Sequence, residues 1–377
     1  MQSPNRPGSV LAPRFRPGAL LGQYRVEARI GSGAMGEVFR ATHVGLDRPV
    51  ALKVLQPELA RQPSVLQRFR TEAVATARLR HPHILEVTDF AQDGQGNAFL
   101  VMELLEGQPV DAFVREVGAV RLGDAITLLD QMLQALECAH RAGIIHRDLK
   151  PANLFLCKQP TPGIHLKVLD FGLAKQTLGA AQHLTTTGEI LGTPAYMAPE
   201  QVEGGTIDAR TDLYAVGSIG FELLTGTLPF AGSALNVMMA QIMEPLPAWT
   251  RQPPLPALEA WVRRAMEKKP AARFQSATEM RAALRASAPA DSNSGPGAAE
   301  EAVDDLGATL IDRKPPRMPG AGGRALPPSA PVAPKGRASE LDLLRAGVRS
   351  RFARLRAAAL AVVIVVAIYG LYLLSQR

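Results

Sequence analysis

His146-Arg147-Asp148-Leu149-Lys150-Pro151-Ala152-Asn153 is the densest run of polar chemistry in this 377-residue chain, and Asp170-Phe171-Gly172 follows it after the strand-like stretch HLKVL. Two carboxylates and a carboxamide at this spacing suit magnesium-assisted transfer. They offer oxygen ligands to a hard cation and leave one carboxylate to meet an incoming hydroxyl.

Working outward toward the N-terminus, Tyr24–Ile30 leads into Gly31-Ser32-Gly33-Ala34-Met35-Gly36 and then Glu37-Val38-Phe39-Arg40-Ala41. Alone, G-x-G-x-x-G also suits a dinucleotide site, where a helix starts at the third glycine. Here YRVEARI and EVFRATHV alternate apolar and polar residues on both sides of the glycines, which predicts a β-hairpin. Its glycines would let backbone amides approach phosphate oxygens. Next, Val50–Leu55 (VALKVL) is a short apolar strand holding one lysine, Lys53. A charge inside a strand needs a partner. Glu72, in the helical stretch RFRTEAVATARLR, is the expected one, since Glu58 follows Pro57 too closely to swing back.

Together these motifs resemble the signature set of eukaryotic-type (Hanks-type) Ser/Thr protein kinases, in particular the bacterial transmembrane members. The resemblance runs from about residue 24 to 284 and continues through Gly192-Thr193-Pro194-Ala195-Tyr196-Met197-Ala198-Pro199-Glu200, Thr211-Asp212-Leu213-Tyr214 and Arg273. It implies an α+β, bilobal protein kinase fold: a five-stranded antiparallel sheet plus one helix over about 24–103, and a mainly helical lobe over about 104–284. It implies a cleft for ATP with Mg2+ or Mn2+, and transfer of the γ-phosphoryl to serine or threonine of protein substrates.

The resemblance also implies roles. Ile30, Gly31, Ser32, Gly33, Ala34, Met35 and Gly36 would bind ATP, the amides of Ser32 to Gly36 covering the triphosphate. Val38 and Ala51 would form the adenine roof and Phe155 its floor. Met102 sits at the gatekeeper position, with the Glu103 and Leu105 backbones on adenine. Lys53, oriented by Glu72, would hold phosphates. Asp148 would take the substrate hydroxyl, Lys150 would neutralise the γ-phosphate, and Asn153 and Asp170 would ligate the metal. Lys150 and Thr193 are what Ser/Thr-specific members carry. Glu200–Arg273 is expected as a buried structural ion pair, and Asp212 as the anchor of the loop bearing Asp148. Arg147 needs an anionic partner, and Thr185, Thr186 and Thr187 lie in the segment between Asp170 and Glu200. Phosphorylation there, by the chain itself, is expected to order that segment. A membrane-tethered pseudokinase scaffold is the alternative; it requires a broken Lys53, Asp148, Asn153 or Asp170, and all four are present.

The net charge of +7 localises to the far end: six arginines and no acid follow Asp342, leaving +1 on the first 344 residues. No broad basic face remains for phosphate-backbone neutralisation, so nucleic-acid binding is not expected. Cys138 and Cys157 are the only cysteines, too few for a disulfide framework or a cysteine zinc site. Their surroundings predict reduced thiols, buried or half-buried.

Residues 1–22, rich in proline, glycine and arginine, read as a flexible arm, and 23–286 as the globular domain. Between Pro289 and Gly336, 16 of 48 residues are proline or glycine and none is aromatic, so 287–344 reads as a disordered linker. Inside it, Thr309 in EEAVDDLGATLIDRK is a candidate phosphothreonine for an FHA-type reader. A basic segment, 345–356, precedes the uncharged AAALAVVIVVAIYGLYLL at 357–374, which as a helix would be about 27 Å long, near the ~30 Å hydrocarbon core. With arginines on its N-terminal flank and a short tail at 375–377, it reads as a single-pass anchor in the inner (cytoplasmic) membrane, the domain facing the cytoplasm. Two anchored copies are expected to phosphorylate each other as a homodimer. His81-Pro82-His83, with no third ligand expected in reach, is expected to be a turn, and Met238, Met239 and Met243 to be core.

Overall fold

The computed structural model describes residues 14–33, 35–159, 163–171, 194–249 and 254–289. The smaller lobe is an antiparallel sheet of β1 (Leu20–Leu21), β2 (Tyr24–Gly33), β3 (Gly36–His43), β4 (Arg48–Leu55), β5 (Val87–Gln92) and β6 (Ala98–Glu103), in the order β1-β2-β3-β4-β6-β5. The predicted hairpin is present, closing with Gly33 opposite Gly36. Strand alternation sorts β4 between two cores. Val50, Leu52 and Val54 pack with Phe39 and Val101 on one face. Ala51 and Leu55 pack with Phe69, Ala73, Leu100 and Met102 on the other. Phe69 and Ala73 belong to α2 (Pro63–Ala77), which follows the short α1 (Pro57–Ala60). Glu72 is also buried on α2.

Two expectations are corrected here. The sheet has six strands, not five, and residues 14–22 are not a free arm. Leu21 is fully buried, and Phe15 packs edge-on against Phe39 with ring centroids 5.5 Å apart. The apolar side chains Phe15 and Leu21 cover the sheet face opposite α2, which otherwise would be wet. Leu21, fully covered in this way, contributes about 1.5–3 kcal/mol, and the half-buried Phe15 less.

The larger lobe is helical: α3 (Val110–Val117), α4 (Leu122–Arg141), α5 (Pro199–Glu203), α6 (Ala209–Thr225), α7 (Ala234–Met243), α8 (Pro256–Ala265) and α9 (Ala277–Ser287). Helix α6 is buried continuously from Thr211 to Phe221, as befits a helix apolar all round. Asp208 caps its N-terminus, accepting from the Arg210 amide at 2.8 Å. The buried stripe of α4 includes Leu128, Leu129, Met132, Leu133 and Leu136, a helical spacing facing α6. Helix α7 departs from expectation. It buries Val237, Ala240 and Gln241, whereas Met239 and Met243 point to solvent. The buried i, i+3, i+4 stripe passes between those methionines.

A second sheet of three strands, β7 (Gly107–Pro109), β8 (Leu154–Cys157) and β9 (His165–Val168), places the chemistry. Leu154 pairs with Val168, so Asn153, just before β8, is brought beside Leu169 and Asp170, just after β9. The Leu169 amide donates to the Asn153 carbonyl at 2.9 Å. Among the described residues no helix is long and apolar enough to cross a membrane. Residues 290–344 of the linker, Thr309 among them, and the segment 345–377 lie outside the described residues, while Ser287, the first residue assigned to the linker, is the last of α9.

Candidate active site

Asp148, Lys150 and Asn153 converge as their spacing predicts. The Lys150 Nζ donates to Asp148 Oδ2 at 3.1 Å. Asn153 Nδ2 donates to the Asp148 carbonyl at 2.8 Å and to its Oδ2 at 3.2 Å. With its amide hydrogens spent on Asp148, Asn153 has its side-chain oxygen left for another partner. The loop carrying these residues hangs from Asp212 on α6, whose carboxylate accepts from the His146 amide at 2.8 Å and the Arg147 amide at 2.9 Å. His140 Nε2 meets the same carboxylate at 2.7 Å. Arg147 holds a positive φ of 65°, so a non-glycine residue is kept in a left-handed conformation by those two amide bonds and by Gln201, which donates to its carbonyl at 2.8 Å. Its Nε is buried with no hydrogen-bond partner among the described residues.

Lys53 meets Asp170 across the cleft at 2.6 Å, and Glu72, the expected partner, acts on it through its charge. Burial acts to lower the Lys53 pKa, but the Asp170 and Glu72 carboxylates outweigh it and hold it above the usual lysine value. Asp170 responds reciprocally: burial acts to raise its pKa, and the Lys53 ammonium brings it below the usual carboxylate range. Asp170 has φ 44°, a second non-glycine residue in the left-handed region at the cleft. The ring of His146 anchors the neighbouring backbone, contacting the Leu169 carbonyl at 2.9 Å and lying 4.8 Å from the Phe171 ring.

Above the cleft, Val38 pairs with Lys53 and Ala51 with Met102 in the sheet register. Val38, Ala51, Met102, Leu105 and Met35 share one apolar cluster. Phe155 sits on β8 opposite Lys167. Gly31, Ser32, Gly33 and Gly36 form the hairpin end, with Ile30 exposed just before it. At Gly36 an added Cβ would lie 1.9 Å from the Val54 carbonyl oxygen, so only glycine fits. Ala34, Gly172, Thr185, Thr186, Thr187 and Thr193 lie outside the described residues.

The expected structural pair is present. Arg273 donates to both Glu200 oxygens at 2.8 and 2.7 Å, and its remaining donors reach the carbonyls of Glu267, Lys268 and Arg210. Sequence reading missed the tie between Glu103 and Lys167, at 2.5 Å, which links the strand ending the small lobe to β9. The signal was present: Lys167, like Lys53, is a lone lysine inside an apolar strand. It also missed His165, whose ring lies 5.0 Å from that of His83.

The protein kinase domain family matches residues 24–288. The serine/threonine-protein kinase pkn3 of Myxococcus xanthus is 42% identical over 271 residues, covering 70% of this chain and 50% of that protein. PknA of Mycobacterium tuberculosis is 40% identical over 262 residues, covering 68% of this chain and 59% of that protein. The chain thus spans little more than half the length of these relatives. The crystal structure of the Mycobacterium tuberculosis PknI kinase domain superposes with a TM-score of 0.56 at 29% identity, covering 73% of this chain and all of that one.

Proposed function

Because this chain belongs to the protein kinase domain family, we propose that it transfers the γ-phosphoryl group of ATP to serine and threonine hydroxyls of proteins in bacterial signalling, its own loop included. The observation that carries this reading is the convergence of Asp148, Lys150 and Asn153 opposite the Lys53–Asp170 pair, beneath a glycine hairpin.

Asp148 takes the proton of the acceptor hydroxyl as its oxygen forms the new bond to the γ-phosphorus. The bond from that phosphorus to the β-phosphate bridging oxygen breaks, and ADP leaves. Lys150, bonded to Asp148, adds positive charge beside the phosphoryl oxygens, and Lys53 exchanges Asp170 for the α- and β-phosphates while Glu72 keeps it aimed. Protein kinases use ATP with Mg2+ or Mn2+. The free oxygen of Asn153 and the low-pKa carboxylate of Asp170 are hard donors of the kind such a cation takes, and they would hold it. The bound cation would neutralise charge on the phosphates.

The finer readings rest on the sequence. Residues 357–374 anchor the chain in the inner membrane with the domain in the cytoplasm, and anchored copies phosphorylate one another. Phosphate on Thr185, Thr186 or Thr187 pairs with Arg147, whose buried Nε has no hydrogen-bond partner among the described residues, which supports this reading. Phosphorylated Thr309 docks an FHA-type reader. The test is incubation of the purified chain with ATP and Mg2+ followed by phosphosite mapping. Phosphothreonine at 185–187 in the wild type and none in Lys53→Met is the expected result. Equal, unmodified samples, with added protein acceptors unmodified too, would favour a scaffold.

A further inference from the structure

The segment ahead of β2 begins with polar contacts beside the glycine hairpin. The Arg14 backbone amide donates to Glu37 Oε2 at 3.3 Å, and Glu37 is the residue that follows Gly36. The same carboxylate takes Arg29 of β2 at 2.8 Å, so Glu37 joins the two arms of the hairpin and the incoming chain. The Arg14 guanidinium crosses to the far end of β4, donating to the Leu55 carbonyl at 2.9 Å and to Asn97 Oδ1. Asn97 is itself fixed, donating from its amide and side chain to Asp93 at 2.8 and 2.6 Å. Leu55 pairs with Gly36, and the next residue, Gln56, donates its amide to the Met35 carbonyl at 2.9 Å. Both hairpin residues are therefore held by the end of β4 that Arg14 grips.

Three further contacts fix the direction of approach. Phe15 sits against Phe39, and the amides of Gly18 and Val26 exchange bonds with the Val26 and Ala19 carbonyls, each at 2.8 Å. The segment is thus a strap laid over the sheet, pinned at its β1 end by backbone and at its start by a forked cation.

We propose that Arg14 is a positioning residue for nucleotide: it sets the height of the glycine hairpin through Leu55, Gln56 and Glu37. This rests on the kinase reading of the cleft. A hairpin held only by its own ladder would sample open positions in which the amides of Ser32 to Gly36 miss the phosphates, and the strap removes those positions before ATP arrives. The consequence appears in binding of ATP rather than in transfer, because Arg14 touches none of the groups around Asp148.

The experiment compares the full-length chain with Arg14→Gln and Arg14→Lys. ATP affinity is read by displacement of a fluorescent ATP analogue in the presence of Mg2+, alongside KM, kcat and thermal midpoint. Loss of the fork in Arg14→Gln is expected to weaken ATP binding by about three- to tenfold, the range set by the net worth of one ordinary hydrogen bond. KM for ATP should rise in parallel, kcat should stay within about twofold and the midpoint should barely move; Arg14→Lys, keeping one donor, should fall between. Unchanged affinity in Arg14→Gln would overturn the proposal, as would a loss shared equally by kcat and thermal midpoint. The displacement assay needs no phosphoryl transfer. A wild type that binds ATP but transfers nothing would sink the kinase reading and still measure the strap.

Discussion

Two cation–carboxylate pairs in this molecule are built from similar groups and behave as opposites. Arg273 and Glu200 meet in the core of the large lobe, with the arginine side chain wholly buried and its donors shared between both carboxylate oxygens and three backbone carbonyls. Lys53 and Asp170 meet at the cleft through one contact, with Asp170 44% exposed on its side chain. In the first pair a planar fork is saturated, so no partner can be exchanged without stranding a charge. In the second, an ammonium with three rotatable donors faces two carboxylates and can trade one for phosphate. Fixed pairs hold a fold, whereas exchangeable ones sit where a ligand arrives.

The sharpest way to break this comparison is to remove one cation at a time. Arg273→Met should destabilise the domain by about 3–5 kcal/mol, because it leaves the Glu200 carboxylate buried without its partner. Denaturant unfolding measures it; a loss near zero would mean the pair is as replaceable as the cleft pair. Lys53→Met should do the reverse. Phosphoryl transfer should fall by about 10²–10³-fold, the cost of one preorganised charge at the reacting group, with a smaller loss of stability than Arg273→Met shows.

Acid sharpens the contrast further. Glu200 and Asp170 both have pKa values held below normal: burial opposes ionisation in each, and Arg273 and Lys53 respectively overcome it. A carboxyl with a depressed folded pKa contributes stability that is present above its unfolded value, about 4 to 4.5, and lost as pH falls through the folded one. Stability of the wild type should therefore drop below about pH 4.5, and Lys53→Met should lose less over that range because Asp170 is no longer held down. Identical acid limbs in thermal scans would show that the cleft pair adds nothing. The smallest effect belongs to a third pair, Arg115 with Asp111 at 3.0 Å, whose arginine side chain is 72% exposed. Arg115→Ala should move stability by no more than about 0.5 kcal/mol.

The catalytic loop and the glycine hairpin were legible in the sequence because their chemistry fixes residue types at short, ordered spacings. Lys53 stood out as a charge in an apolar strand, and Asp148, Asn153 and Asp170 as oxygen donors flanking one. The strap was misread because proline, glycine and arginine dominate its composition. Two apolar side chains, Phe15 and Leu21, are enough to seat it, and composition averages them away. The Lys53–Asp170 contact spans 117 positions and depends on how the lobes meet, which no local pattern encodes. The His83–His165 contact was hidden for the same reason. The exposure of Met239 and Met243 was lost because methionine is apolar on paper and tolerant in place.

The most direct test of the account is the initial rate of label transfer from γ-labelled ATP with Mg2+ to a protein acceptor, for wild type and for Asp148→Asn, at matched thermal stability. The account predicts label on serine and threonine and a rate about 10²–10⁴-fold lower in the variant, as loss of a positioned base requires. Equal rates in the two proteins, or no transfer by a wild type that binds ATP, would contradict it.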